Sequence, residues 1–394
     1  MSASILKAAE HYREQMVRFL REIVAIPSPS RHEADVVARI TREMKRLGYD
    51  EVYMDEIGNA VGRIGEGSRV IMYDAHIDTV GIGDPTAWSH HPYEGKLEDG
   101  NVWGLGVVDM KAAMASMVYG GRVIKDLGLE SDYTLYIAGI VQEEECDGLG
   151  SLAFVEQLGR RPDVAVLGEP TNLQIFRGHR GRCEIKVTVK GKACHASAPE
   201  RGDNAVYRMA RLIRDIEALP PTLKEDPFLG KGTLAVTRIE SKSGSLNVVP
   251  DECTIYIDRR LTAGEDADGA VAQIASLMAP GEGTVELLVY EEPSYTGYVR
   301  RVLKDYPTWV TPEDHPAVRA GVDTARLLSG REPAVDKWVF STNGVTLAGV
   351  LKIPTIGFGP GDEVLAHTVN EHVAVDDLVF AAAFYALFPT VFSE

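Results

Sequence analysis

The stretch "YTLYIAGIVQEEECDG", residues 133–148, stays apolar for the length of a strand and then breaks into three adjacent glutamates, Glu143, Glu144 and Glu145. Like charges side by side at the end of a buried segment repel and are costly to desolvate. "RVIMYDAHID" (69–78) and "DVAVLGEP" (163–170) repeat the pattern of an apolar strand running into polar residues. Before and between them, "EADVVARITREMKRLG", "DMKAAMASMVYGGRVIKDLG" and "SLAFVEQLG" carry apolar residues at helical spacing. The alternation from residue 31 to about 178 predicts a mixed, largely parallel α/β sheet flanked by helices, with its site at the carboxyl ends of strands.

The rhythm changes between about 179 and 295. "RCEIKVTVKG" reads as strand, "NAVYRMARLIRDIEAL" as helix, "GTLAVTRIES" and "ECTIYIDRRL" as strands, "DADGAVAQIASLM" as helix and "GTVELLVYEE" as strand. That order, βαββαβ, is ferredoxin-like. "PAVRAGVDTARLLSG", "IPTIGFGPG" and "AVDDLVFAAAFYALF" then resume the first rhythm. The expectation is one unit built from 1–178 and 296–394 with a second, 179–295, inserted into it, and a ligand cleft between them.

With 394 residues and 45% apolar content, the chain can bury a large core. A formal charge of −17 disfavours nucleic acid or an anionic membrane as partner. Cys146, Cys183, Cys194 and Cys253 form no CxxC pair or regular framework, which points to a reducing compartment. The N-terminal "MSASILKAAEHYREQMVRFLREIVAIPSPS" reads as an amphipathic helix ended by Pro27 and Pro29, without a signal-peptide core. No window nears roughly 18 consecutive apolar residues. A cytoplasmic location is the expectation.

His76 and Asp78 stand two apart at a strand end and point the same way, as a metal-bound imidazole and the carboxylate orienting it would. Taken alone, a histidine at a strand end is more often a hydrogen-bonded structural residue. Asp109 sits at a loop-to-helix junction where Asp is a preferred N-cap, Glu169 in a turn before Pro170, and His367 in a loop after "GFGPG". Each has an ordinary reading alone. Together they deliver ligand types for a divalent metal from separate strand ends and loops.

In order and spacing, "YDAHIDTV", "GLGVVDMKAAM", "QEEECDG", "LGEPT" and "AHTVNE" resemble the di-zinc aminoacylase and carboxypeptidase family. Acetylornithine deacetylase, succinyl-diaminopimelate desuccinylase and glutamate carboxypeptidase belong to that family. The resemblance spans nearly the whole chain, including "GKACHASAPERGDNA" and "LNVVPDECTIYIDRRL" in the insert. It implies a zinc-peptidase-like catalytic unit and a lid that also dimerises. Two divalent ions are implied, zinc with cobalt or manganese as alternatives: Asp109 bridging them, His76 and Glu169 on one, Glu144 and His367 on the other. Asp78 would stand behind His76, and Glu143 would be the general base to a metal-activated water. Two zinc ions about 3.5–4 Å apart need such an anionic bridge, and a free carboxylate beside the water is the better proton acceptor. His195 would reach a site, often the neighbouring subunit's, and hydrogen-bond the developing oxyanion. Asn247 and Arg260 would hold a substrate carboxylate.

The resemblance implies a metal-dependent amidohydrolase acting on an N-acylated amino acid or related small molecule, the alternatives being a dipeptidase or carboxypeptidase and a non-catalytic binding protein. Glu169 leans toward deacylation, since peptide-cleaving relatives tend to carry Asp there. "VQEEECDGLG", "RGDNA" and "DKWVFSTNGV" look closest to the selenium-metabolism-linked hydrolases. His90 and His91 are adjacent, point apart on an extended chain, and carry no metal reading.

Overall fold

A computed structural model of the protein describes residues 1–393. The principal sheet holds strands β1 (Glu51–Met54), β2 (Ala60–Ile64), β3 (Arg69–His76), β4 (Tyr133–Ile140), β5 (Val164–Leu167) and β6 (Ile175–Phe176). The second sheet follows in the chain, with β7 (Gly181–Lys190), β8 (Thr233–Lys242), β9 (Glu252–Leu261) and β10 (Gly283–Leu287). β11 (Val335–Asp336) and β12 (Thr355–Gly357) then return to the first. Its order is β1-β2-β4-β3-β5-β12-β6-β11. The four consecutive strands β4, β3, β5 and β12 are mutually parallel, while β1, β2 and the β12–β6 contact are antiparallel. β4 is buried along its whole length and β3 from Val70 onward, as required of strands covered on both faces. The fold class expected from the alternating periods is the one observed.

The second sheet is antiparallel, ordered β8-β9-β7-β10, and carries helices Ala205–Glu217 and Ala267–Ala275. β7 alternates: Cys183, Ile185, Val187 and Val189 pack into a core with these helices, leaving Arg182, Glu184 and Lys186 on the opposite face. Asp305–Tyr306 also pairs with β7, so backbone pairing to this sheet continues past residue 295.

Two sequence expectations are corrected. The N-terminal helix is two helices, Ser2–His11 and Arg13–Val24. They part at Tyr12, whose hydroxyl donates to Asp126 at 2.5 Å and accepts from Arg122 at 3.2 Å, drawing the ring toward helix Ala112–Leu127. The C-terminal helix Val375–Ser393 is, against the expectation from sequence, long and apolar enough to cross a membrane. Here it is a core helix, with 67% of its most apolar window buried. It packs on Ala112–Leu127 so closely that a Cβ at Gly120 would meet Cβ of Tyr385 at 2.9 Å.

Candidate metal centre

The carboxyl ends of the four parallel strands converge, and each delivers part of one cluster. His76 ends β3; Glu143 and Glu144 follow β4, Glu169 follows β5, and His367 lies in the loop after β12. Asp109 comes from an irregular turn, Val107–Lys111, ahead of helix Ala112–Leu127. It does not cap that helix: the N-cap position is Lys111, no side chain caps the helix, and the Asp109 carboxylate is aimed at the histidines.

His76 Nε2 is 2.7 Å from Asp109 Oδ1 and 3.8 Å from Glu169 Oε1. His367 Nε2 is 3.2 Å from Asp109 Oδ2 and 3.1 Å from Glu144. Asp109 thus lies between the two imidazoles, one from each side. Ligand atoms of His76, Asp109 and Glu144 all fall within 4.8 Å of one another. His76 Nδ1 donates to the backbone carbonyl of Asp78 at 3.0 Å, with the Asp78 carboxylate farther off at 3.6 Å, which leaves Nε2 facing the cluster.

The Asp78 carboxylate is engaged elsewhere, accepting the backbone N–H of Glu143 and of Glu144, each at 3.1 Å, and the Ser30 hydroxyl at 2.6 Å. A second clamp follows the triplet. Gly148 N–H donates to Asn343 Oδ1 at 2.7 Å, and Asn343 Nδ2 donates to the buried Asp74 at 2.8 Å. Gln142, just before the triplet, holds φ at 60°, an uncommon geometry for a non-glycine residue and one found at functional turns.

Electrostatics alone would not assemble this set. Burial raises the Glu169 carboxyl well above its usual range, and the neighbouring Asp109 adds to it. Burial likewise raises Glu143, though His76 opposes it. Burial pushes on Asp109 in the same direction, but His76 and His367 outweigh it and hold that carboxylate low. Hydrogen bonds to Asp109 and then Glu144 lift His367 to about 10. Oε2 of Glu169 is buried without a hydrogen-bond partner. A buried carboxylate atom with no donor, amid two imidazoles and three further carboxylates, is a donor set suited to divalent cations.

The cluster opens into a cavity of about 360 Å³, lined by Asp109, Glu143, Glu144, Glu169 and His367 together with Asp147, Arg182, Arg260, Phe340, Ser341 and Glu363. Arg182 and Arg260 stand directly opposite each other across β7 and β9. Two like charges so placed are unfavourable, and each is neutralised by its own carboxylate. Arg182 meets Asp147 at 2.5 Å and Arg260 meets Asp258 at 2.7 Å. His195 and Asn247 are not in this cavity. Both are exposed on the inserted unit and are neighbours there, with Ala196 N–H donating to the Asn247 carbonyl at 2.8 Å. His90 lies apart as well, 3.2 Å from Glu98.

The sequence reading did not single out Glu371, Asp147 or Arg182. Glu371 closes the "AHTVNE" segment that contains His367, and its place in that segment was the available signal.

The family model describing peptidase family M20/M25/M40 matches residues 72–390, more than half of the chain. Among curated relatives, "Uncharacterized protein YgeY" of Escherichia coli (strain K12) is 49% identical over 387 residues, covering 98% of this chain and 96% of that protein. A succinyl-diaminopimelate desuccinylase of Gluconacetobacter diazotrophicus is 26% identical, covering 93% and 94% of the two chains. Among solved structures, an M20 family metallo-carboxypeptidase of Sulfolobus solfataricus shares the fold, with a TM-score of 0.75, 15% identity and coverage of 96% and 99%.

Proposed function

The chain belongs to peptidase family M20/M25/M40, whose members are metal-dependent hydrolases of amide or peptide bonds, and on that premise we propose that it removes the acyl group from an N-acylated amino acid or related small molecule. The carrying observation is the convergence of His76, Asp109 and Glu144 ligand atoms within 4.8 Å, beside a Glu143 carboxylate that lines the same cavity.

In this reading Asp109 would be shared by two divalent ions, with His76 and Glu169 holding one and Glu144 and His367 the other, zinc being the leading identity. When bound, such a pair supplies polarisation of the scissile carbonyl and a lowered pKa for the attacking water. The Glu143 carboxylate would accept a proton from the attacking water and return it to the departing nitrogen. Asp78 keeps Glu143 and Glu144 in register through their N–H groups. Arg260, on the cavity wall contributed by β9, suits a substrate carboxylate.

His195 and Asn247 lie outside their own chain's cavity, which supports the proposal that they serve a second copy through a homodimer formed by the inserted unit. The four free cysteines suit a cytoplasmic location.

Dipeptide or C-terminal peptide cleavage by the same site is the second reading; the metallo-carboxypeptidase that shares the fold favours it. Both are tested by assaying zinc- and cobalt-loaded protein on N-acetyl, N-succinyl, N-formyl and N-carbamoyl amino acids beside dipeptides. The proposal expects turnover of an N-acyl amino acid; turnover of dipeptides alone would transfer it to the second reading. Absence of both hydrolysis and bound metal would remove the enzymatic reading.

A further inference from the structure

Glu371 is 1% exposed and four residues beyond His367, and its carboxylate is filled by backbone N–H groups of the loop that carries Asp109. Oε1 accepts from Val108 at 2.6 Å and from Asp109 itself at 2.9 Å, while Oε2 accepts from Gly106 at 2.9 Å. The Glu371 carbonyl accepts from Gly104 N–H at 3.0 Å. Residues 106–109 therefore wrap around the side chain, and Gly104 holds the backbone of the same residue.

The wrapping depends on Gly106, whose φ of 72° is left-handed and where a Cβ would meet Thr79 Cγ2 at 2.4 Å. Glu371 is itself anchored, because the residues after it, His372–Ala374, pair with Trp103, Val102 and Asn101. Burial and the nearby Asp109 raise the Glu371 carboxyl to about 8, while the three N–H groups favour its ionised form, which accepts at both oxygens; an amide would set an NH₂ against at least one N–H.

We propose that Glu371 is the positioning residue that fixes the Asp109 carboxylate between His76 and His367. One short segment, 367–371, then supplies an imidazole to the cluster and also the anion that holds the opposing carboxylate's backbone. The separation of 3.2 Å between His367 Nε2 and Asp109 Oδ2 is set by that double attachment. Asp78 does the corresponding work for Glu143 and Glu144 on the other side of the cluster. This inference rests on the metal reading given above.

The test compares wild type, E371Q and E371D for cobalt(II) binding by chelator competition and by the visible absorption of the bound ion, with far-UV circular dichroism as the check on folding. E371Q is expected to fold and to bind cobalt about 10- to 100-fold more weakly, with a changed spectrum. E371D keeps the acceptors but draws them back by one methylene, so it is expected to fall between. A folded E371Q with wild-type affinity and spectrum would overturn the proposal. If E371Q does not fold, E371D decides, and wild-type affinity and spectrum there would overturn it. A wild-type protein that binds no cobalt would instead overturn the metal reading itself, which the control arm shows separately.

Discussion

Asp78 accepts the backbone N–H of Glu143 through one carboxylate oxygen and that of Glu144 through the other, both at 3.1 Å. The pairing fixes which glutamate of the triplet faces which task, since a slip by one residue would exchange them. Removing it in Asp78→Ala leaves two buried N–H groups and the Ser30 hydroxyl without their acceptor. A loss of roughly 2–4 kcal/mol is expected in urea unfolding, at about 1–3 kcal/mol per unsatisfied group with partial relaxation. Bound metal, measured after desalting, is expected to fall with it. Unchanged stability and metal content would show that the clamp is dispensable.

Glu145 has a different partner set. It accepts from the Tyr290 hydroxyl at 2.8 Å and is ion-paired with Arg31 at 3.1 Å, and it does not line the cavity. Glu145→Gln is expected to retain turnover and to lose no more than about 1 kcal/mol, as befits a half-exposed ion pair. Loss of turnover with the fold intact would bring Glu145 back into the chemistry.

His179 should resist protonation. Its Nδ1–H donates to the Arg180 carbonyl at 2.8 Å, and Nε2 accepts from Trp309 Nε1–H at 2.8 Å and Thr342 N–H at 3.1 Å, so a proton on Nε2 would oppose two N–H donors, with only the Thr342 hydroxyl at 3.0 Å able to receive it. Burial lowers its pKa to about 4. The unfolded chain, with a histidine pKa of about 6.5, binds more protons than the folded one between those values. Stability from this group is therefore complete above about pH 6.5 and is lost as pH falls toward 4, by about 3 kcal/mol in all. Imidazole nitrogen shifts are expected to keep His179 neutral through pH 5; a midpoint near 6.5 would contradict this.

His195 is expected to act across a dimer. His195→Ala and Glu143→Ala are each expected to be inactive, yet mixing the two after subunit exchange should restore partial activity, because one hybrid site has both groups. Mixtures that stay inactive despite demonstrated exchange, or a fully active monomer in sedimentation, would confine His195 to another role.

The strand-end glutamates and histidines were legible because an α/β sheet exposes strand ends in a predictable place, so His76, Glu144 and Glu169 could be grouped from far apart in the sequence. The βαββαβ order was legible for the same reason: period and turn signals are local. What escaped was fixed by distant partners. The break at Tyr12 is set by Asp126 and Arg122, which lie more than 100 residues away in the chain. The task of Glu371 depends on the shape of a loop more than 260 residues earlier in the chain, as its hydrogen bond to Asp109 shows. Asp78 was read as the partner of His76, yet its carboxylate serves the glutamate backbone, a choice that only the meeting of two loops decides.

The central claim is the division of labour between Glu143 and Glu144, and it is tested most directly by measuring metal content and turnover together in Glu143→Ala and Glu144→Ala. Glu143→Ala is expected to keep the wild-type metal content and lose all measurable turnover on a substrate that the wild type hydrolyses, while Glu144→Ala loses metal. A Glu143→Ala protein emptied of metal, or one that still turns over, would contradict the assignment.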